Sequence, residues 1–277
     1  MGTCFEEAQE RKRLFKERGK ELNRRLALPF EEKLSLSIDA IKEALTYERP
    51  VIASSFGKDS ITLTHLVHSV DNTVPVVYID TGVGVEETKP YRKMLAELWN
   101  LTVYVRYPET TFWKVIKERG LPKQSRNSKT GDKREPYCCK VLKINPMMKF
   151  YKEYKPEMVF VGLTGDEGRQ RRWAYILKGS AVYHMKAHNV MKCIPMIWWT
   201  QEDVWHYIKI NEIPVNPAYE KYGIERLGCV PCTGYKSWET EMPKINPKMY
   251  KLIKKKILEE EREAMEKEGQ KTIDGNY

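Results

Sequence analysis

Ser54-Ser55-Phe56-Gly57-Lys58-Asp59-Ser60 lies between the short apolar run Pro50-Val51-Ile52-Ala53 and the segment Ile61-Thr62-Leu63-Thr64-His65-Leu66-Val67. The apolar residues at 61, 63, 66 and 67 suit a helix packed on a sheet. A buried strand, a tight turn and a helix N-terminus aim several backbone N–H groups at one point, with the helix dipole behind them. Gly57 lets the backbone come close to an anion, Lys58 adds positive charge, and Ser54, Ser55 and Ser60 offer hydroxyl donors. The stretch therefore reads as a phosphate cradle. It is not the GxxxxGK[ST] loop, because the Gly–Lys pair lacks the preceding spacing. The plain alternative is an ordinary strand-to-helix turn with a helix cap.

The flanking pattern supplies the fold. Leu34, Ile38, Ile41 and Leu45 form one face of an amphipathic helix leading into the first strand. Residues 74–80 read as a second buried strand closed by the turn Asp80-Thr81-Gly82, followed by a helix over 88–99 and strands over 101–105 and 158–163. Strands alternating with helices predict an α/β fold: a doubly wound, mostly parallel sheet with helices on both faces. Ligands of such sheets lie beyond the carboxyl ends of the strands, so Ser55 and Asp80 are expected to face one crevice. Further on, Ile194–Trp199 reads as an apolar strand end, with Cys193 as a small hydrophobe before it. Thr200 follows as a helix N-cap with Asp203 at the third helical position, close to a capping box. Trp198, Trp199 and Trp205 read as core. His184 and His188 would share a helix face and hold a metal only if that segment were helical. The predicted organisation is an N-terminal helical extension over 1–47, a main domain over 48–240, and a charged C-terminal helix and tail over 241–277.

Composition narrows the class. In 277 residues, 48 Lys and Arg against 38 Asp and Glu give a formal net charge of +10, which favours polyanionic partners or a charge-rich solvated surface. Basic residues spread around every face of 6–26 predict a solvated helix. The aperiodic stretch 120–136, with Lys123, Arg126, Lys129, Lys133 and Arg134, reads as a basic lid or a mobile loop. No apolar run approaches about 18 residues and no signal-peptide core is visible, so the expectation is a cytoplasmic chain without membrane contact. Six cysteines then point to metal or catalytic thiols rather than disulfides. Cys138-Cys139 and Cys229-Val230-Pro231-Cys232 are two thiolate pairs able to converge on a four-metal cluster or on one tetrahedral ion. Adjacent cysteines are awkward ligands for one ion, whereas a cubane offers each its own iron. Lys140 and Lys143 would lie nearby, where a cation lowers thiolate pKa.

Taken together, these motifs carry a resemblance. Residues 54–60 resemble the SxGxDS loop of the PP-loop superfamily, the adenine nucleotide α-hydrolase-like proteins that work at the α-phosphate. Within it, the chain is similar to the phosphoadenosine-phosphosulfate (PAPS) reductase family and its iron–sulfur adenylylsulfate reductases, over about residues 48–238. Asp80-Thr81-Gly82-Val83-Gly84-Val85-Glu86-Glu87-Thr88 is similar to the family's DTGxxxxET element, which implies that Asp80, Thr81, Gly82, Glu87 and Thr88 lie beside the nucleotide. The segment from Gly162 to Arg172 looks like a GxRxxES-type loop in which Thr164 replaces the expected Arg and Gly168 a small polar residue. Gly162, Glu167, Arg171 and Arg172 are the nucleotide contacts it implies. The order CC then CxxC resembles the iron–sulfur reductases and implies a [4Fe-4S] cluster on Cys138, Cys139, Cys229 and Cys232.

The resemblance implies an enzyme that binds ATP or a sulfonucleotide, with Lys58, Asp59 and Asp80 as catalytic residues and Mg²⁺ held by Asp59 and Asp80. Lys58-Asp59-Ser60 is intact, as in enzymes that release pyrophosphate, and no cysteine follows Cys232 where the reductases carry a Glu-Cys-Gly nucleophile. The leading expectation is therefore cleavage of ATP at the α-phosphate to adenylate an acceptor for sulfur transfer. Adenylylsulfate or phosphoadenylylsulfate reduction is the alternative, and a non-catalytic nucleotide- or cluster-sensing subunit the second. The partners implied are a tRNA or DNA acceptor, a redox partner and a second copy of the chain.

Overall fold

A computed structural model describes residues 2–122, 137–235 and 237–274. The basic stretch read as a lid lies, from Lys123 to Pro136, outside the described residues. The elements in chain order are α1 (Gly2–Leu26), α2 (Phe30–Ala44), β1 (Val51–Ala53), α3 (Lys58–His68), β2 (Val76–Ile79), α4 (Thr88–Leu98) and β3 (Val103–Arg106). Then come α5 (Phe112–Arg119), α6 (Tyr137–Cys139) running into a π-helical turn (Lys140–Ile144), α7 (Asn145–Tyr154), β4 (Met158–Val161) and α8 (Arg169–Lys178). The chain ends with β5 (Val182–Met185), β6 (Val190–Cys193), α9 (Gln201–Ile210), α10 (Ala218–Tyr222), α11 (Trp238–Ile245) and α12 (Pro247–Asp274). None of the described helices is long and apolar enough to cross a membrane.

The six strands form one sheet in the order β3-β2-β1-β4-β6-β5. β1 runs parallel to β2 and β4, and β4 runs parallel to β6. The expected doubly wound sheet is thus present, and its winding reverses between β1 and β4, the position where such sheets open a crevice. One edge of the sheet is antiparallel. Residues 182–193 form the hairpin β5–β6, so His184 sits on a strand and His188 in the turn, not on one helix face. Cys193 closes β6, and the apolar run after it turns toward α9 rather than forming a strand. Cys193 is nonetheless buried, as expected.

The chain divides into two compact units, one comprising residues 1–78, 89–105 and 150–216, the other 79–88, 106–149 and 217–277. In the first unit, Ile41, Ile52, Leu63, Leu66, Val76, Phe160 and Trp199 form the core. Trp198 and Trp199 are buried and both donate their indole N–H to Ser37 Oγ, at 3.0 and 2.8 Å. The capping box is complete: Thr200 Oγ1 accepts from Asp203 N, and Asp203 Oδ2 accepts from Thr200 N at 2.7 Å. The same carboxylate pairs with buried Lys33 at 2.7 Å. Trp205, read as core, is exposed. The charged N-terminal helix is not solvated on every face. Leu22 is fully buried, Phe15 meets Trp173 edge-on at 5.7 Å, and Arg18 donates to the carbonyls of Ile176 and Leu177 in the last turn of α8. A cation there complements the negative end of that helix.

Candidate functional site

In the first unit, β1 hands the chain to the loop over 54–60, and Ser54 N still donates to Val77 O at 3.0 Å. Ser54 Oγ accepts from Phe56 N at 3.2 Å and tightens the turn. The left-handed conformation falls on Phe56 (φ 57°), not on Gly57, which is extended at φ −86°. A bulky residue with positive φ is strained and persists only where its surroundings hold it. Phe56 is buried and packs edge-on against Tyr78 at 5.5 Å. Gly57 caps α3 without a side-chain hydrogen bond. Ser60 Oγ donates to Gly57 O at 2.9 Å, accepts from Ser55 N at 3.2 Å and lies 3.3 Å from Ser55 Oγ, so the two hydroxyls are gathered at the helix start. Lys58 is buried with its ammonium 3.0 Å from Asp59 Oδ2.

The loop after β4 reaches the same helix end. A Cβ on Gly162 would stand 2.8 Å from the carbonyl oxygen of Asp59, closer than side-chain carbons approach, so a glycine is required for α3 to seat on β4. Glu167 pairs with Arg171 at 3.3 Å, and Arg172 donates to Asn23 on α1. Gln201, absent from the motif reading, bonds Asp59 Oδ1 at 3.3 Å and Thr164 Oγ1 at 2.8 Å. Asp59 thus accepts from Lys58 through Oδ2 and from Gln201 through Oδ1.

In the second unit, Asp80 is buried and its Oδ1 accepts from Gly82 N at 3.0 Å, with Gly82 left-handed at φ 75°. Thr81 Oγ1 lies 3.6 Å from Cys229 Sγ, Val230 N donates to Val83 O at 2.8 Å, and Gly84 bridges Cys229. The Asp-Thr-Gly turn and the CxxC turn are therefore paired backbone to backbone. Glu87 accepts from Lys221 Nζ at 2.5 Å and Tyr222 Oη at 2.7 Å. Burial raises its pKa, but those two hydrogen bonds, a backbone bond and the Lys221 charge together leave the carboxyl below its ordinary value. Thr88 is buried at the start of α4.

All four predicted cysteines line one cavity of about 60 Å³, together with Phe112, Lys143, Arg226 and Tyr235. The π-helical turn directly after Cys139 turns Leu142 and Lys143 to the cavity, a common use of such turns at functional sites. The Cys139 thiol and burial push Cys138 up, burial pushes Cys232 up, and the neighbouring Cys229 raises Lys143. Lys140, expected nearby, is not among the lining residues. Arg226 and Tyr235 were not anticipated, although they stand three residues before Cys229 and three after Cys232; the guanidinium lies 5.5 Å over the ring. Among the described residues, no group of three or more His, Cys, Asp or Glu is arranged to hold a metal ion. The four thiols lining that cavity, beside two cations that offset thiolate charge, are of the chemical type that a polynuclear cluster takes as ligands.

A doubly wound sheet with a serine- and lysine-bearing loop at its switch point defines the class of α/β protein. Residues 49–235 match the family described as phosphoadenosine phosphosulfate reductase domain, and the chain belongs to that family. An uncharacterized protein of Methanocaldococcus jannaschii is 30% identical over 207 residues, 73% of this chain but 46% of that protein, so the chain spans about half of this relative. Adenosine 5'-phosphosulfate reductase 1 of Bacillus subtilis is 29% identical over 187 residues, 66% of this chain and 72% of that protein. Among solved structures, phosphoadenylyl-sulfate (PAPS) reductase from Candida auris has a TM-score of 0.53 at 17% identity, covering 78% of this chain and 93% of that one. The FMN adenylyltransferase of Candida glabrata has a TM-score of 0.50 at 12% identity over 79% of this chain and 70% of that one. Both share the fold.

Proposed function

We propose that this enzyme binds ATP at the N-terminus of α3 and cleaves it at the α-phosphate, adenylating an acceptor for sulfur transfer and releasing pyrophosphate. The observation that supports this reading is the buried Lys58 in the first turn of a helix whose N-cap makes no side-chain bond, at the sheet's switch point. The helix N-terminus and the hydroxyls of Ser55 and Ser60 would orient the phosphates, and Lys58 would stabilise charge developing on the leaving pyrophosphate. Cys138, Cys139, Cys229 and Cys232 would hold a [4Fe-4S] cluster, which supplies electron transfer or polarisation of a sulfur anion when bound. Lys143 and Arg226 would offset the charge of the thiolates.

A second reading, reduction of adenylylsulfate or its 3'-phosphate to sulfite, is favoured by the cavity that joins four thiols to two cations. Anaerobically purified protein given ATP, and separately adenylylsulfate with a thiol reductant, discriminates the two. Under the leading reading, ATP yields AMP-linked product and pyrophosphate, and Lys58→Ala slows this about 10²- to 10³-fold. Sulfite release without pyrophosphate formation would replace it with the second reading.

A further inference from the structure

Gln201 occupies a junction within the first unit that no recognised motif covers. Its Nε2 donates to Asp59 Oδ1 and to Thr164 Oγ1, using both amide hydrogens, and a carboxylate only accepts, so the amide orientation follows from its partner. Asp59 Oδ2 accepts from Lys58 Nζ at 3.0 Å, which makes Thr164–Gln201–Asp59–Lys58 one hydrogen-bonded chain. Its two ends are buried, Thr164 at 0% and Lys58 at 6% exposure. The backbone of Gln201 is tied separately, its N–H donating to Asp166 Oδ2 at 2.8 Å. The β4–α8 loop, the start of α9 and the phosphate loop thus meet at one side chain.

We propose that Gln201 is a positioning residue of the phosphate loop, anchoring the Asp59 carboxylate so that Lys58 is released from it to a nucleotide phosphate. The inference rests on the nucleotide reading above. A phosphate arriving at the start of α3 attracts the Lys58 ammonium away from its carboxylate partner. A carboxylate held by Lys58 alone would follow the ammonium and set a second negative charge against the phosphate, which is repulsive. Two features prevent this. Gln201 holds the far oxygen of Asp59, and Thr164 holds the amide of Gln201.

The test is a double-mutant cycle on ATP affinity, measured by calorimetry, with thermal stability recorded for each variant. Gln201→Leu in the wild-type background is expected to weaken ATP binding about tenfold or more, the scale of a lost hydrogen bond to a charged group. In an Asp59→Ala background the same change is expected to alter ATP affinity less than about twofold, while any effect on melting temperature persists. Equal weakening in both backgrounds, or none in the wild type, would overturn the inference and leave the nucleotide reading intact. A wild-type protein that binds no ATP overturns both. Should a cycle variant fail to fold or bind, Thr164→Val is read alone: about threefold or more weakening is expected, and unchanged affinity overturns the proposal.

Discussion

Gly162→Ala tests whether the seating of α3 on β4 sets the phosphate loop. The added Cβ would meet the carbonyl oxygen of Asp59 at 2.8 Å, its carbonyl carbon at 3.1 Å and the Cα of Ser60 at 3.3 Å. All three are backbone atoms, so no side chain can swing aside. Ordinary contact begins near 3.4 Å, and either the end of β4 or the first turn of α3 must retreat by the difference. Overpacking of this kind costs about 1–3 kcal/mol, or roughly 2–4 °C in melting temperature per kcal/mol for a chain of this size. The retreating turn carries Lys58, Asp59 and Ser60, so nucleotide affinity should fall with stability. Chemical denaturation and calorimetric titration with ATP measure the two effects. Gly84→Ala serves as the control, because a Cβ there meets nothing within 4 Å. A Gly162→Ala protein with wild-type stability and ATP affinity would refute the reasoning.

Anaerobically prepared protein should be brown and hold about four iron per chain; a colourless protein with one zinc would refute the cluster. Burial, then the charge of Arg171, bring Lys192 down from 10.5 to about 8. Folding therefore disfavours its charged form, and the unfolded chain binds the extra proton between those values, so this group destabilises the fold below about pH 8 and progressively less toward 10.5. Lys192→Met should exceed wild-type stability at neutral pH by an amount that shrinks as pH rises, and a pH-independent difference would exclude this cause. Asp203→Ala removes the reciprocal cap of α9 and strands buried Lys33, costing about 3–5 kcal/mol. Thr200→Ala removes a cap bond only and should cost about 1 kcal/mol; equal losses in denaturant titrations would show that the Lys33 pair contributes nothing.

Some features of this protein were legible in sequence because their causes are local. Alternating strand and helix signals around 54–60 implied the doubly wound sheet, since hydrophobic period and turn residues act over a few positions. Thr200 and Asp203 announced their capping box by spacing alone, and residue type and order marked out the four cysteines that line one cavity. Other features depend on which distant residues fill the same space. The left-handed residue of the phosphate loop is Phe56 because burial beside Tyr78 holds it there, although Gly57 is the residue that local propensity selects. α1 reads as charged on all faces, yet Leu22, Phe15 and Arg18 find partners on α8 or in the core. Residues 182–193 carry no decisive local signal and become a hairpin because β6 completes a ladder with β4. Gln201, Arg226 and Tyr235 carry no motif, and Thr164 entered only as a departure from one; folding brings them to Asp59 and to the cysteines. Propensity and spacing determine elements, whereas long-range packing decides which side chains share a site, and that information is spread over residues far apart in the chain.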